Sequence, residues 1–354
     1  MPRILPLLLC FLPSLLWGQY QSGFQQEYFF GHFPNAQTDA LGGTSVALGG
    51  NVFSAWTNPA GISQIDSREL NLSLSAPFFI LRESDTYFLG YAQKLNETFS
   101  AGLSVHQFAM GPSTFDINFG SERYPVDAPK VTNVILSLAA EPIKGLHAGV
   151  NLNVFNWKYI DEIPITRAAF FDIGAVYEFA PNANHPDQQL QFGTSLTNTT
   201  FSRIQFDGPQ GEVGDEAFPA IFRLGATYSG KGRIQLVGAN EGALSWLVSV
   251  EYMDLLNNEF RTTIRGGTEV MLYDVLAIRL GAYRQSKDNL GNPINASRDQ
   301  QITHGFGVKI PIRRIFKDRV PFDIMVDYTS LPHPKGIVTI PNFRTFSFRM
   351  IWTN

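Results

Sequence analysis

Large apolar side chains alternate with small or polar ones along most of this chain, the strand-like segment 345–352 included. In an extended chain successive side chains point to opposite faces. Phe346, Phe348, Met350 and Trp352 therefore form one stripe, and Thr345, Ser347 and Arg349 the other. The same period sets Leu146, Ala148, Val150, Leu152 and Val154 against His147, Gly149, Asn151, Asn153 and Phe155. Further on it sets Phe171, Ile173, Ala175, Tyr177 and Phe179 against Asp172, Gly174 and Glu178. Roughly fourteen strands are predicted, near 68–76, 86–94, 97–109, 131–141, 145–157, 168–179 and 189–197, then 218–229, 244–254, 260–271, 275–285, 302–313, 320–330 and 343–352. Most have about the 9 to 11 residues that a tilted strand needs to cross the hydrocarbon layer. The expected fold is all-β, a transmembrane antiparallel β-barrel of about 14 strands.

Connection lengths test this independently, because such barrels keep short turns on the periplasmic side and longer loops outside. With the first strand running outward, 94–96, 142–144 and 272–274 fall as tight periplasmic turns, and 110–130, 198–217 and 286–301 as long outer loops. Two connections break the rule. The periplasmic one at 230–243 is too long, with Ile234 to Val237 as a candidate for part of another strand, and the outer one at 255–259 is too short. Trp157, Tyr177, Tyr228, Tyr252, Tyr283, Tyr328 and Trp352 fall near strand ends, where interfacial girdles place their rings.

The first residues read as an export signal: Arg3, an apolar run from Ile4 to Leu16 interrupted by Ser14, and Gly18 as a small residue for cleavage. The run is too short to span a bilayer as a helix, which takes about 20 residues, and Pro6 and Pro13 weaken one further. A lipoprotein signal at Cys10 is the alternative, although Leu8 and Leu9 are not the small residues such processing wants. Cys10 is the only cysteine and leaves with residues 1–18, so the mature chain can form neither a disulfide nor a thiolate site. A slightly negative net charge of −4 argues against a nucleic-acid partner. Abundant Phe and Gly at near-zero mean hydropathy suit a barrel with a wet interior.

Residues 19–67 do not alternate and contain a run of small residues at 40–50, Gly42 and Gly43 among them. This segment is expected to fold into the lumen as a plug or hatch ahead of the barrel, 68–354, with a surface loop as the alternative. Ala40-Leu41-Gly42-Gly43-Thr44-Ser45-Val46-Ala47, followed by Trp56-Thr57-Asn58-Pro59-Ala60-Gly61, resembles the opening of the FadL-like outer-membrane superfamily. The closer resemblance is to its PorV/PorQ branch, associated with the type IX secretion system of Bacteroidetes. Phe222 to Tyr228, Arg265 to Glu269 and Leu276 to Tyr283 look like that branch's recurrent strand phrases. The resemblance implies a fourteen-stranded barrel with an N-terminal hatch, in the outer membrane. It implies either a non-catalytic part in protein secretion and cell-surface attachment, or passage of fatty acids and hydrocarbons as in FadL-like channels. The first is the preferred expectation. Partners would be outer-membrane lipid together with secretion-system proteins or a hydrophobic ligand, and a closed sheet with no free edge predicts a monomer.

Alternation sends Asp172, Arg223, Glu251, Arg265, Glu269, Arg279, Asp323, Asp327 and Arg349 inward. A lipid-facing Arg at mid-depth costs about 2 to 4 kcal/mol, which favours the same placement. Arg265, Glu269 and Arg279 are expected to share a lumenal ion-pair network that rigidifies the interior, or else grips the plug and selects solutes. Asn58 and Pro59 suit a hinge between plug and first strand, with a ligand-moved gate as the alternative. Phe115, Ile117 and Phe119 in the first long loop fit a ligand lure, a docking ridge or plain loop packing.

No catalytic or cofactor constellation is expected. The six histidines stand far apart, and there is no Gly-x-Ser-x-Gly elbow or phosphate-binding loop. Asp288 to Asn292 departs from a calcium loop, and a polar turn explains it equally well. A barrel can still assemble Ser, His and an acid from different strands, which sequence alone does not exclude.

Overall fold

A computed structural model describes residues 33–76, 84–110, 115–119, 122–126, 130–158, 166–182, 184–207, 213–235, 241–256, 262–285, 300–317, 319–331 and 343–352. The export signal, the first part of the N-terminal segment and the polar turn at 288–292 lie outside the described residues. In chain order the strands are β1 Arg68–Ala76, β2 Ser84–Lys94, β3 Phe99–Met110, β4 Phe115–Phe119, β5 Glu122–Val126, β6 Lys130–Ile143, β7 Leu146–Lys158, β8 Thr166–Phe179 and β9 Gln189–Thr197. They continue as β10 Arg203–Asp207, β11 Val213–Ala217, β12 Ile221–Ile234, β13 Gly242–Leu255, β14 Thr262–Leu272, β15 Leu276–Gln285, β16 Gln300–Ile310, β17 Phe322–Leu331 and β18 Phe343–Trp352. Fourteen of them close into one antiparallel barrel, sealed where β1 meets β18 in register from Arg68↔Trp352 to Ala76↔Arg344. The other four form two hairpins, β4–β5 and β10–β11, inside what alternation alone reads as long outer loops.

Strand length accounts for the longer of the two irregular connections. β12 and β13 run on to Ile234 and back to Gly242, so the connection shrinks to 235–241, and no extra strand forms there among the described residues. The alternation hides this because Gly230, Lys231, Gly232 and Arg233 carry no apolar stripe. Backbone ladder bonds do not need one, and outward Trp246 lies over Gly230 and packs on Tyr228 at 5.1 Å. β14 is described from Thr262, and the short outer connection, with the expected strand start at 260, falls on 257–261, outside the described residues.

Alternation holds around the wall. Leu89, Val250 and Phe346 point outward and are about half exposed at 52%, 57% and 51%, while Thr345, Ser347 and Asn151 point inward and are buried. Outward charges in the barrel strands, Arg68, Asp85, Lys130, Lys158, Arg167, Asp254, Arg284 and Arg344, all stand at or next to a strand end. A belt free of charge and rich in exposed Leu, Val, Ile and Phe is a surface for hydrocarbon rather than water, and it fits an outer-membrane location. No helix among the described residues is long and apolar enough to cross a membrane. Two of the seven expected girdle aromatics turn inward. Trp157 packs against a buried apolar cluster, and Tyr283 donates to Gln301 Oε1 at 3.0 Å inside the lumen. Each lies two residues along its strand from a residue buried in the lumen, Phe155 and Gly281, so strand parity outweighs the preference of rings for the interface.

Leu89→Arg, on the outward belt at mid-strand, is expected to cost about 2 to 4 kcal/mol of folding stability in lipid vesicles. Reversible denaturant titration in those vesicles would measure it.

Candidate functional site

Residues 33–65 of the N-terminal segment lie against the inward faces of strands around the barrel's circumference. Asn35 caps a short helix, Ala36–Ala40, by accepting from Gln37 N at 2.9 Å. That helix packs on β15 to β18. Ser347 Oγ accepts from Ala36 N at 2.8 Å, Thr345 Oγ1 donates to Asp39 Oδ2 at 2.7 Å, and Thr303 Oγ1 donates to Ala40 O at 2.9 Å. Gly42 and Gly43 follow at φ +72° and +87°, conformations that L side chains rarely adopt. Two 3₁₀ helices, Val52–Trp56 and Pro59–Gln64, complete the segment against β1 to β3 and β6 to β8.

Small residues in the wall make this close approach possible. Gly267 and Gly281 face each other in register on β14 and β15, and the Leu41–Gly42 backbone rests where their Cβ atoms would be. Gly193 with Gly225 receives Val46 and Ala47 in the same way, and Gly149 with Gly174 receives Asn58 and Pro59. Asn58 ties these contacts together. Its Oδ1 caps Ala60 N at 3.1 Å, and its Nδ2 donates to Val46 O at 2.6 Å and to Ala175 O of β8 at 3.1 Å. Pro59 occupies the first position of the 3₁₀ helix, where its missing N–H costs nothing.

The inward charges form two groups rather than the single network expected of Arg265, Glu269 and Arg279. Arg265 pairs instead with Glu251 at 3.7 Å, and Arg223 joins the same carboxylate at 3.8 Å. Arg279 pairs with Glu269 and, at 2.7 Å, with Asp327, which also meets Arg349 at 3.6 Å. Register decides the grouping: Glu251↔Arg265 and Glu269↔Arg279 are direct cross-strand neighbours. Arg265 and Glu269 lie four residues apart on one strand, about 13 Å. Both groups reach the N-terminal segment. Glu251 Oε2 accepts from Ser45 N at 2.7 Å and Val46 N at 2.8 Å, Arg265 Nη1 donates to Gly43 O at 3.1 Å, and Glu269 accepts from Gln37 Nε2 at 3.1 Å. Asp172 stands apart, holding the Asn151 and Asn153 side chains and Asn198 N. Asp323 lies at the turn end of the barrel and accepts from Arg313 N at 3.1 Å.

Alternation does not assemble a further contact, in which Ser63, His147 and Glu178 meet. Ser63 Oγ lies 2.8 Å from His147 Nδ1, and His147 Nε2 lies 3.6 Å from Glu178. Ser63 donates to Ala60 O at 2.8 Å, so its oxygen is left to accept from Nδ1–H. A serine hydroxyl oriented this way is a docking contact, not a nucleophile facing its base.

Toward the long-loop end the inward side chains turn apolar. Phe155, Phe170, Phe218, Ile221, Met253 and Leu255 pack with Phe33 and Trp56 of the N-terminal segment, and the Phe155 and Phe218 rings meet edge to face at 4.6 Å. Sequence parity already points Phe155 inward, but only closure of the sheet gathers these residues from distant strands. Toward the turn end the lumen is polar. One cavity of about 140 Å³ is lined by Gln37, Asn51, Leu247 and Arg349, and another of about 210 Å³ by Asp187, Gln189, Lys231 and Glu269. The side chains of Phe115, Ile117 and Phe119 lie outside the described residues.

Fold and site together define a fourteen-stranded antiparallel barrel whose own N-terminal segment occupies its lumen. No protein-family model matches the chain, and no curated protein matches it. Solved structures similar to it include the toluene transporter TodX of Pseudomonas putida, at 10% identity over 90% of this chain and 96% of that one, with a TM-score of 0.46. A FadL homologue from Pseudomonas aeruginosa is similar at 12% identity over 95% and 99%, TM-score 0.46. The toluene transporter TbuX of Ralstonia pickettii is similar at 9% identity over 90% and 98%, TM-score 0.46.

Glu251→Gln removes the charge that holds two guanidinium groups and two backbone N–H groups. Breaking a buried pair of this kind costs about 3 to 5 kcal/mol, so residues 33–65 should become cleavable by added protease in the folded barrel. Arg279→Ala, whose partners are mostly in the wall, should lower barrel stability with less effect on that cleavage.

Burial inside the lumen pushes the Asp39 carboxyl up to about 8 from its ordinary value of 3.8, against the favourable Thr345 bond and the Arg265 charge. The docked segment thus keeps a proton that the free segment loses, so docking weakens as pH rises from about 4 to 8 and levels off above that. Proteolysis of the segment should increase across that window, and Asp39→Asn should flatten the profile.

Proposed function

We propose that the protein is a non-enzymatic outer-membrane channel for small hydrophobic molecules, with residues 33–65 acting as its plug. The observation that carries this reading is the inward apolar cluster at the long-loop end, where Phe155, Phe170, Phe218, Ile221, Met253 and Leu255 line the lumen with large hydrophobes buried against one another and against the plug. Phe33 and Trp56 are the plug's share of the cluster. A lumen meant only for water and ions has no use for so many large hydrophobes. Beside this cluster β9 pairs with β8 over Ile173–Phe179, and Asn198 and Phe201, at φ 54° and 47°, then turn the chain, which stays tied to β8 by bonds from Thr199 N to Phe171 O at 2.8 Å and from Ser202 Oγ to Ala169 O at 3.1 Å. In this reading Gly42, Gly43, Asn58 and Pro59 seat and hinge the plug, and Glu251, Arg265 and Glu269 grip it.

The PorV/PorQ reading, accessory to type IX secretion, rests on short sequence phrases, and no described surface favours gripping a protein partner over admitting a solute.

The purified barrel should bind the fluorescent hydrophobe N-phenylnaphthylamine, and Phe155→Ser with Phe218→Ser should weaken that binding about tenfold or more, from the apolar burial each ring provides. Heat-modifiable gel migration would confirm that the variant barrel is folded. A wild-type barrel that binds no such probe but co-purifies with secretion proteins would reverse the assignment.

A further inference from the structure

The turn-end rim carries one strongly basic connection. Between β16 and β17 the sequence Pro311 to Pro321 holds Arg313, Arg314, Lys317 and Arg319 against a single acid, Asp318. The other turns at this end carry no such excess of cations, with Lys94 near Glu97, Glu141 near Lys144, and Arg233 paired to Glu241 at 3.5 Å. Lys309 at the start of the connection is already bound to Asp274 at 2.8 Å. Arg314, Lys317 and Arg319 are exposed and, among the described residues, have no acidic partner.

The same connection exposes two large hydrophobes. A one-turn helix, Ile312–Ile315, closed by bonds from Ile315 N to Pro311 O and Phe316 N to Ile312 O, leaves Ile315 and Phe316 59% and 52% exposed. The segment springs from outward Ile310 and returns at Phe322, whose ring packs on Trp352 at 5.6 Å, while Arg68 stands over Trp352 at 5.6 Å. Leu95, Ile143 and Val275 elsewhere on the turn-end rim are also exposed, which puts this rim at the membrane–water boundary. Exposed aliphatic and aromatic side chains beside unpartnered cations, at the edge of an apolar belt, match an anionic phospholipid: acyl chain for Ile315 and Phe316, phosphate for the cations.

We infer that the Ile312–Ile315 helix with Phe316, Lys317, Arg319 and Arg68 is a binding site for anionic phospholipid of the periplasmic leaflet. It clamps one side of the rim to that leaflet. The inference rests on the barrel's place in a membrane and is independent of what passes through the lumen. A soluble acidic protein would satisfy the cations and leave Ile315 and Phe316 in water.

The full-length barrel, released from detergent with equal phosphatidylglycerol and phosphatidylcholine and weighed intact by native mass spectrometry, tests this directly. Wild type should retain phosphatidylglycerol in preference to phosphatidylcholine. At roughly fivefold per cation, Arg314→Ala/Lys317→Ala/Arg319→Ala should lower that preference tenfold or more. Lys94→Ala, in a balanced turn, should leave it unchanged, and Phe316→Ser should weaken retention of both lipids. Equal retention of the two lipids by wild type, or an unchanged preference in the triple variant of a correctly folded barrel, would overturn the assignment.

Discussion

A membrane-spanning sheet must satisfy every backbone N–H and C=O within itself, because hydrocarbon offers no partner, and the pairing of β1 with β18 is where this chain meets that demand. Closure removes both edges and fixes an inside and an outside for every strand. Each residue's parity then decides its solvent. Leu89 belongs to lipid and Phe88 to the lumen because they are neighbours on a strand that has no other choice.

Closure creates a second demand. Bringing Arg223, Arg265 and Arg279 inside strips them of water, and buried charges of this kind are tolerated only when paired and hydrogen-bonded. Glu251 answers with one oxygen toward two guanidinium groups and the other toward Ser45 N and Val46 N. The N-terminal segment is therefore part of the electrostatic solution as well as an occupant of the space. Facing glycines let its backbone come close enough to make those bonds, and Asn58 joins two of its contact points through one side chain.

The lumen is also graded along its axis. Aromatic and aliphatic side chains crowd the long-loop end, an ion-paired layer sits against the N-terminal segment, and polar cavities open toward the turns. That grading underlies the hydrophobic-solute channel proposed above. It also explains why the basic, apolar turn at 311–321 is suited to lipid rather than to the pore, since it lies outside the lumen on the membrane's edge.

Much of this was legible without coordinates. A period of two fixes which residues of a strand share a face, so Asp172, Arg223, Glu251, Arg265, Glu269, Arg279 and Arg349 could be sent inward, and all fourteen barrel strands located, from the order of residues alone. Where the period lapses, as at Gly230 to Arg233, strand ends were not legible, because ladder bonds extend through residues of any type. The hairpins in the outer loops were missed for a different reason: Phe115–Phe119 and Arg203–Asp207 do alternate, but at 5 residues each they fall short of the length of about 9 to 11 that marks a spanning strand. What alternation cannot supply is register. A strand face lists its residues but does not say which faces which across the gap, so the partner of Arg265, the meeting of Ser63 with His147, and the apolar cluster drawn from distant strands were decided only when the sheet closed around its own N-terminal segment.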